Sequence, residues 1–369
     1  MTDDAVRDIA EELVAAGGEI ALQAVAIRDG ELLVDVATGV VDSDAPSTPI
    51  TGEHLFPVFS VSKAMTTLTA LRLIDRSVLG FDTPVAEVWP EFAANGKSDV
   101  LVGELLAHQA GLAALPDVPG FAELCDWEHM TRALAAAAPE GRGPAGYHAL
   151  TLGWLVGETV RRALGDGRGF GEIMRDELLG VGPRAFWFGI PDDVEPLIVT
   201  VRRDVEPVDG ARAIDRALPA RFGTTQSVYG RPDVRRACLP AVNGIGNART
   251  LASVFARAAS GELLGGPVLE EATRPWTAGT DAITGAYVAR GAGFYVSAPK
   301  GATFSAPFTP GGRAFGHPGA GGSLVWGDRA TGTGFAICRS RLSPAGWQDP
   351  NVQRLIEALQ IAVRNDIRA

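Results

Sequence analysis

The chain has 369 residues, of which 46% are hydrophobic and 21% are charged. This composition is typical of a globular protein with a sizeable core and excludes a disordered chain. The formal net charge of −11, without a long Lys/Arg run, disfavours binding to nucleic acid or to an anionic membrane.

The first eighty residues predict a helix, a strand pair and a second helix in that order. Apolar residues at helical spacing predict an amphipathic helix over residues 4–16. Two β-like runs, Ala21–Ile27 and Leu32–Thr38, flank an Asp-Gly pair, which is a strong hairpin signal. The second helix is predicted to begin at Ser60, to run through Ile74, and to stop near Gly80.

The middle of the chain, roughly residues 80–240, mixes helical segments with loops that contain Pro and Gly. Leu150–Leu164 is predicted to be a helix, and Leu251–Ala259 a shorter one. Prolines and charges are frequent in residues 190–240, which predicts long surface connections there.

Strand patterns return near the C-terminus and are followed by a last amphipathic helix. The predicted strands are Tyr287–Ala289, Gly293–Ser297, Ser323–Trp326 and Gly334–Arg339. The helix places Val352, Leu355, Ile356, Leu359 and Val363 on one face.

This order of elements predicts an α/β (α+β) protein whose antiparallel sheet is built from the N- and C-terminal segments and flanked by helices. We assign residues 1–80 and 241–369 to the sheet domain and residues 81–240 to a mostly helical inserted domain. The active site is expected at the interface between them.

The tetrad Ser60-Val61-Ser62-Lys63 has the spacing of a nucleophile and its base. If Ser60 begins a helix, Lys63 lies almost one turn later on the same face. A serine needs such a base, and a lysine can serve once burial and nearby positive charge lower its pKa. The alternative is an ordinary helix start that contains these residues without a catalytic role, since S-x-x-K is a loose pattern.

Three further segments follow the tetrad. They are Leu105–Leu112 (LLAHQAGL), Gly146–Ala149 (GYHA) and Phe315–Gly322 (FGHPGAGG), the last of which is expected to precede a strand. With the tetrad they make the chain, from about residue 20 to residue 340, resemble the serine β-lactamase and penicillin-binding family. The greatest resemblance is to class C β-lactamase-like esterases, also called family VIII carboxylesterases, and it implies the β-lactamase/transpeptidase-like fold.

The resemblance implies roles for particular residues. Tyr147 stands at the tyrosine of the second motif, where it either shares the proton of Ser60 with Lys63 or passes one to the leaving group, and the choice of Lys63 or Tyr147 as the effective base is left open. The backbone N–H groups of Ser60 and Ala320 are implied to form the oxyanion hole. Ala149 and His317 stand where lactamases carry Asn and Lys, which favours esters over β-lactams.

His317, Gly319 and Trp326 are predicted to bind substrate. A substrate carbonyl must lie against the strand after His317, and a side chain at Gly319 would block it. Trp326 is expected to line an acyl pocket. His54 and His129 are read as surface or capping residues, His108 as structural, and His148 as pointing away from the cleft.

No metal or cofactor is predicted. The chain has no H-E-x-x-H pattern, and the segment Gly244–Arg249 (GIGNAR) carries Arg where a dinucleotide loop carries its third Gly. Three widely spaced cysteines and the absence of a signal-peptide pattern at the N-terminus predict a cytoplasmic protein.

The predicted activity is hydrolysis of carboxylic esters through an acyl-Ser60 intermediate. An acyltransferase that passes the acyl group to an amine or alcohol is the main alternative. β-Lactamase or D-amino-acid peptidase activity ranks lower, and a non-catalytic binding module ranks last. The expected partner is a small-molecule ester or acyl donor, with no nucleic acid and no membrane, and the oligomeric state is left open.

Overall fold

The computed structural model describes residues 3–42, 48–180, 182, 184–203, 210, 212–297 and 313–368. The helices are α1 (Asp4–Ala15), α2 (Val61–Asp75), α3 (Val85–Val88), α4 (Val102–Leu106), α5 (Phe121–Cys125), α6 (Trp127–Ala136), α7 (Thr151–Leu164), α8 (Phe170–Leu178), α9 (Ala213–Ala217), α10 (Gln226–Tyr229), α11 (Pro232–Arg236), α12 (Ala248–Ser260), α13 (Gly266–Thr273) and α14 (Pro350–Arg368).

The strands are β1 (Ala21–Arg28), β2 (Glu31–Gly39), β3 (Phe56–Pro57), β4 (Phe186–Trp187), β5 (Arg202–Arg203), β6 (Ile245–Gly246), β7 (Thr277–Thr280), β8 (Tyr287–Arg290), β9 (Tyr295–Val296), β10 (Ala314–Pro318), β11 (Leu324–Asp328), β12 (Thr333–Arg339) and β13 (Arg341–Leu342).

The main sheet of the described residues is antiparallel and joins both ends of the chain. Its strand order is β2-β1-β12-β11-β10-β9-β8-β7. The N-terminal hairpin enters through β1, where Val25 pairs with Ala336 of β12. The predicted fold class is therefore confirmed, while the division at residues 80 and 240 stays a prediction.

Side chains alternate between the two faces of this sheet, and each face has its own helices. On one face Leu324, Trp326 and Phe335 pack with residues of α1 and α14. On the other face Val325 and Ala336 belong to the larger core with α2, α7, α8 and α12. Because side chains alternate between the two faces along a strand, residues adjacent in sequence pack into different cores.

Helix α2 lies deep in the larger core, because nearly every one of its side chains is buried. Its one-sided amphipathic pattern is correspondingly weak, as expected of a helix surrounded by protein. The first turn of α2 lies where the sheet meets the helical segments, and this position places the candidate site.

Three predictions about elements are wrong in part. Residues 190–240 are more than surface connections, because Val199, Phe222 and Val234 are buried in the core. The expected strand over residues 293–297 is reduced to β9. The segment around His317 does not only precede a strand but forms β10 itself.

Among the described residues, no helix has both the length and the apolar character that crossing a bilayer requires.

The segment Gly244–Arg249 forms β6 and the start of α12, where Asn247 caps the helix by accepting a hydrogen bond from the Thr250 N–H at 2.9 Å.

Candidate active site

Ser60 is held at the N-terminus of α2 by a short sheet. Strand β3, three residues earlier, pairs with β6, and the Val58 N–H donates to the Gly244 carbonyl at 2.9 Å. Phe59 has a φ of 49°, a left-handed conformation that non-glycine residues seldom adopt. This tight turn leaves Ser60 partly exposed while the residues on either side are buried.

Lys63 lies one turn along α2 and is completely buried. Its Nζ is 3.2 Å from Ser60 Oγ and donates to the carbonyls of Ala149 at 2.7 Å and Ala241 at 2.9 Å. Burial, together with the positive charge of Arg290, holds the pKa of Lys63 well below its ordinary range. A lowered pKa favours the neutral amine, the form that can accept the proton of Ser60.

The Tyr147 hydroxyl donates a hydrogen bond to Ser60 Oγ at 2.9 Å, so the phenol and the Lys63 amine meet at the same oxygen. The Lys63 Nζ also lies 4.8 Å from the centre of the Tyr147 ring. Burial raises the pKa of Tyr147 far above its usual value, which keeps the phenol protonated.

The loop that carries Tyr147 is fixed by two buried histidines. The His148 ring donates to the Gly146 carbonyl at 2.6 Å and accepts from the Leu112 N–H at 3.0 Å. The His148 N–H donates to His108 Nδ1 at 3.0 Å. Both rings thus hold the backbone on either side of Tyr147.

His317 is buried on β10, on the same side of the sheet as α2. Its ring stacks beside Tyr147 with 6.2 Å between ring centres and meets Tyr295 edge-on at 5.1 Å. Nδ1 is 2.7 Å from the Pro318 carbonyl, which can only accept, so Nδ1 carries the hydrogen. Burial lowers the pKa of His317 well below its ordinary value, so the ring is neutral.

The turn after β10 lies directly against the segment that leads to Ser60. A Cβ on Gly319 would stand 2.4 Å from the Val58 carbonyl oxygen, so no side chain fits there. The Gly319 N–H donates to the Ser323 carbonyl at 2.7 Å, which closes the turn. Within the described part of the chain, the N–H groups of Ser60 and Ala320 donate to no protein acceptor.

The prediction for Trp326 is wrong. Trp326 pairs with Gly316 across the ladder, whereas its neighbour Val325 pairs with His317. Strand alternation therefore turns the indole away from the site. It is 1% exposed and stacks on Phe335, with 4.6 Å between ring centres, in the core beneath α14.

The remaining histidines lie outside this cluster. His54 accepts from the Thr51 N–H at 2.9 Å through Nδ1, as a capping residue does. The His129 backbone N–H donates to Asp126 at the start of α6. In the described residues, no group of three or more His, Cys, Asp or Glu side chains has a metal-binding arrangement.

Sequence reasoning missed Arg290 and Asp281, which form a buried ion pair beside Tyr147. The Asp281 carboxylate accepts the Tyr147 N–H at 3.2 Å, and the Arg290 guanidinium lies 5.2 Å from the centre of the Tyr147 ring. Asp281 is 134 residues from Tyr147 in sequence, beyond any local pattern. An arginine inside the mostly apolar run 287–296 is the one signal that marks the pair.

Comparisons with known proteins find relatives that match most of the chain. The family model described as Beta-lactamase matches residues 6–358. The esterase/beta-lactamase LipL of Mycobacterium tuberculosis is 33% identical over 343 residues, which cover 85% of this chain and 75% of LipL. A penicillin-binding protein homologue from Caulobacter crescentus has a TM-score of 0.84 at 32% identity, covering 97% of each chain. A family VIII carboxylesterase has a TM-score of 0.88 at 26% identity, covering 98% of this chain and 97% of that one.

Proposed function

Because the chain belongs to the β-lactamase family, we propose that it is a serine hydrolase that cleaves carboxylic esters through an acyl-Ser60 intermediate. One observation carries the proposal: the Lys63 amine and the Tyr147 hydroxyl both contact Ser60 Oγ, at 3.2 Å and 2.9 Å. A serine with two proton-transfer partners at a partly exposed helix start has what acyl transfer requires.

Acylation begins when Ser60 Oγ bonds to the ester carbonyl carbon and its proton passes to the neutral Lys63 amine. The carbonyl oxygen becomes an oxyanion, which the N–H groups of Ser60 and Ala320 stabilise. The bond to the alcohol oxygen then breaks, and the alcohol leaves with the proton of Tyr147. Tyr147 regains a proton from Lys63, so the pair returns to its starting state.

Deacylation repeats these steps with water as the nucleophile. Water bonds to the acyl carbon, its proton passes to the Lys63–Tyr147 pair, and Ser60 Oγ leaves as a hydroxyl. The carboxylic acid is released and the free enzyme is regenerated.

Two features favour neutral esters over β-lactams as substrates. At position 149, where a lactamase carries Asn, alanine offers only its carbonyl, which accepts from Lys63. At position 317 a neutral imidazole replaces the lysine cation that a lactamase presents to a substrate carboxylate. The substrate is therefore proposed to be a small ester without a carboxylate at that point.

The cysteines support a cytoplasmic location as a further part of the proposal. Cys125, Cys238 and Cys338 are all free thiols. Burial raises the pKa of Cys125 to about 11, which keeps that thiol unreactive.

Turnover of p-nitrophenyl butyrate by the Ser60→Ala variant tests the proposal. We expect the loss of the nucleophile to abolish release of p-nitrophenol, whereas Ser253→Ala on α12, away from the site, retains it. Unchanged turnover by Ser60→Ala would overturn the assignment.

Product analysis with added alcohols or amines separates the two fates of the acyl group: free acid alone supports hydrolysis, and an acylated nucleophile supports transfer.

A further inference from the structure

The hairpin of β7 and β8, at the edge of the main sheet, reaches the loop that carries Tyr147. The Ala282 N–H donates to the Ala145 carbonyl at 2.9 Å, and the Tyr147 N–H donates to Asp281 at 3.2 Å. Ile283 lies beside Gly146, where an added Cβ would be 3.2 Å from its side chain. The hairpin therefore supports the backbone on both sides of Gly146.

Asp281 and Arg290 face each other across this hairpin and are 0% and 1% exposed. One carboxylate oxygen of Asp281 receives the guanidinium, and the other accepts the N–H groups of Tyr147, Ile283 and Thr284. A buried ion pair pays a large desolvation penalty and is weak evidence of stabilisation. Its presence at the reactive tyrosine indicates a role in the site.

The Arg290 guanidinium lies between two aromatic rings of the site. Its central carbon is 5.2 Å from the centre of the Tyr147 ring and 5.1 Å from that of Tyr295. Arginine remains protonated throughout the working pH range. The site therefore contains a permanent positive charge on the side of Tyr147.

We propose that Arg290 and Asp281 are positioning residues for acyl transfer at Ser60. Asp281 holds the Tyr147 backbone and the guanidinium, and the guanidinium holds the phenol ring while its charge keeps the Lys63–Tyr147 pair ready to accept a proton. This inference rests on the proposed ester hydrolysis.

Of the described charged or titratable groups around Lys63, Arg290 is the one that stays positively charged at neutral pH. The other groups are Ser60 and Tyr147, which contact Lys63, and His108, His148 and His317, which interact with it electrostatically; Asp281 and Tyr295 contact Arg290. Burial holds the pKa values of the three histidines below their ordinary value, so they are neutral. Burial would raise the pKa of the Asp281 carboxyl, but Arg290 together with the backbone N–H donors of Thr284 and Tyr147 lowers it below its ordinary value.

The pH dependence of kcat/KM for p-nitrophenyl butyrate tests the role of the charge. The acidic limb of this profile is expected to follow the protonation of Lys63. Replacing Arg290 by Met removes a positive charge near Lys63, so the pKa of Lys63 should rise and the limb should move to higher pH by about one unit or more. We expect kcat to fall more than tenfold near neutrality, KM to change little, and part of the loss to be recovered at alkaline pH. Arg290→Lys keeps the charge and should leave the limb in place.

Asp281→Asn gives an independent test of opposite sign. The amide oxygen can still accept from the Tyr147 N–H, but the counter-charge is lost. The unopposed Arg290 charge should move the limb to lower pH. This variant carries the test if Arg290→Met does not fold.

Glu158→Gln is the matched control, since Glu158 is a buried carboxylate on α7 that pairs with Arg161 and Arg162 away from the site. It should lower the thermal midpoint without moving the limb. A limb that stays in place in folded Arg290→Met or Asp281→Asn overturns the inference, as does an equal shift in Glu158→Gln. Absence of ester turnover in the unchanged protein would instead overturn the proposed function.

Discussion

At the scale of single residues, the Lys63 amine is oriented by its acceptors. A neutral amine has two hydrogens and one lone pair. The carbonyls of Ala149 and Ala241 take the hydrogens at 2.7 Å and 2.9 Å, which leaves the lone pair for the Ser60 hydroxyl at 3.2 Å. With the amine neutral, the Ser60 hydroxyl donates to Lys63, while Tyr147 donates to the same oxygen.

Replacing Lys63 by Met tests this arrangement through activity. We expect kcat for p-nitrophenyl butyrate to fall by roughly 10²–10⁴-fold, the usual contribution of a general base. Lys97→Met is the matched control, because Lys97 is also buried and donates to the carbonyls of Ala94 and Ala137. Equal losses in both variants would contradict the role of Lys63.

The unchanged protein and Lys63→Met are also expected to differ in how their stability depends on pH. Unfolded Lys63 regains its ordinary pKa of 10.5, so between the lowered native pKa and 10.5 the unfolded state binds a proton that the native state lacks. Stability therefore rises with pH, by about 1.4 kcal/mol per unit for one proton, between the lowered native pKa and 10.5. Urea unfolding at a series of pH values below 10.5 should show this slope in the unchanged protein relative to Lys63→Met. Parallel curves would show that native Lys63 is protonated.

Residues of the site could be predicted from the sequence in two cases: when they lie close together in the chain, and when they belong to a family motif. Ser60 and Lys63 are one turn apart, so helix geometry alone brings them together. Tyr147 and His317 were placed by the family motifs rather than by physics. Trp326 was misplaced because a single position along a strand decides which face a side chain occupies.

At the scale of elements, two backbone segments approach too closely for a side chain between them. Gly319, after β10, touches the carbonyl of Val58 between β3 and α2. This contact brings the Ala320 N–H toward the start of α2. The proposed oxyanion hole therefore depends on the packing of one turn against another.

Replacing Gly319 by Ala should separate these segments. The added Cβ meets backbone, which cannot rotate away, so we expect kcat to fall by about 10²-fold, as when one oxyanion donor is lost. Gly266→Ala, at the start of α13, has open space around the new methyl group and should keep full activity. Wild-type kcat in Gly319→Ala would mean that the turn does not set the site.

Helices with clear periodicity were predicted to within a few residues, as α1 and α7 illustrate. Residues 190–240 were misjudged because their buried side chains, such as Val199 and Phe222, stand in short runs interrupted by prolines and charges. Such a segment is buried by contacts distant in sequence, and no local pattern records them.

At the scale of the whole molecule, the site is assembled from segments far apart in the chain. Ser60 and Lys63 come from α2, Tyr147 from the loop before α7, and His317 from the middle of the sheet. The sheet itself joins the first forty residues to the last third of the chain. Composition and element order predicted this architecture, but the contact between the β7–β8 hairpin and the Tyr147 loop required the folded structure.

The central claim is that Ser60 forms the covalent acyl intermediate. Mass spectrometry of peptides from protein inactivated with a p-nitrophenyl phosphonate tests it most directly. We expect one adduct per chain, located on Ser60, formed in step with the loss of esterase activity and absent from Ser60→Ala. An adduct on another residue, or inactivation that leaves Ser60 unmodified, would contradict the claim.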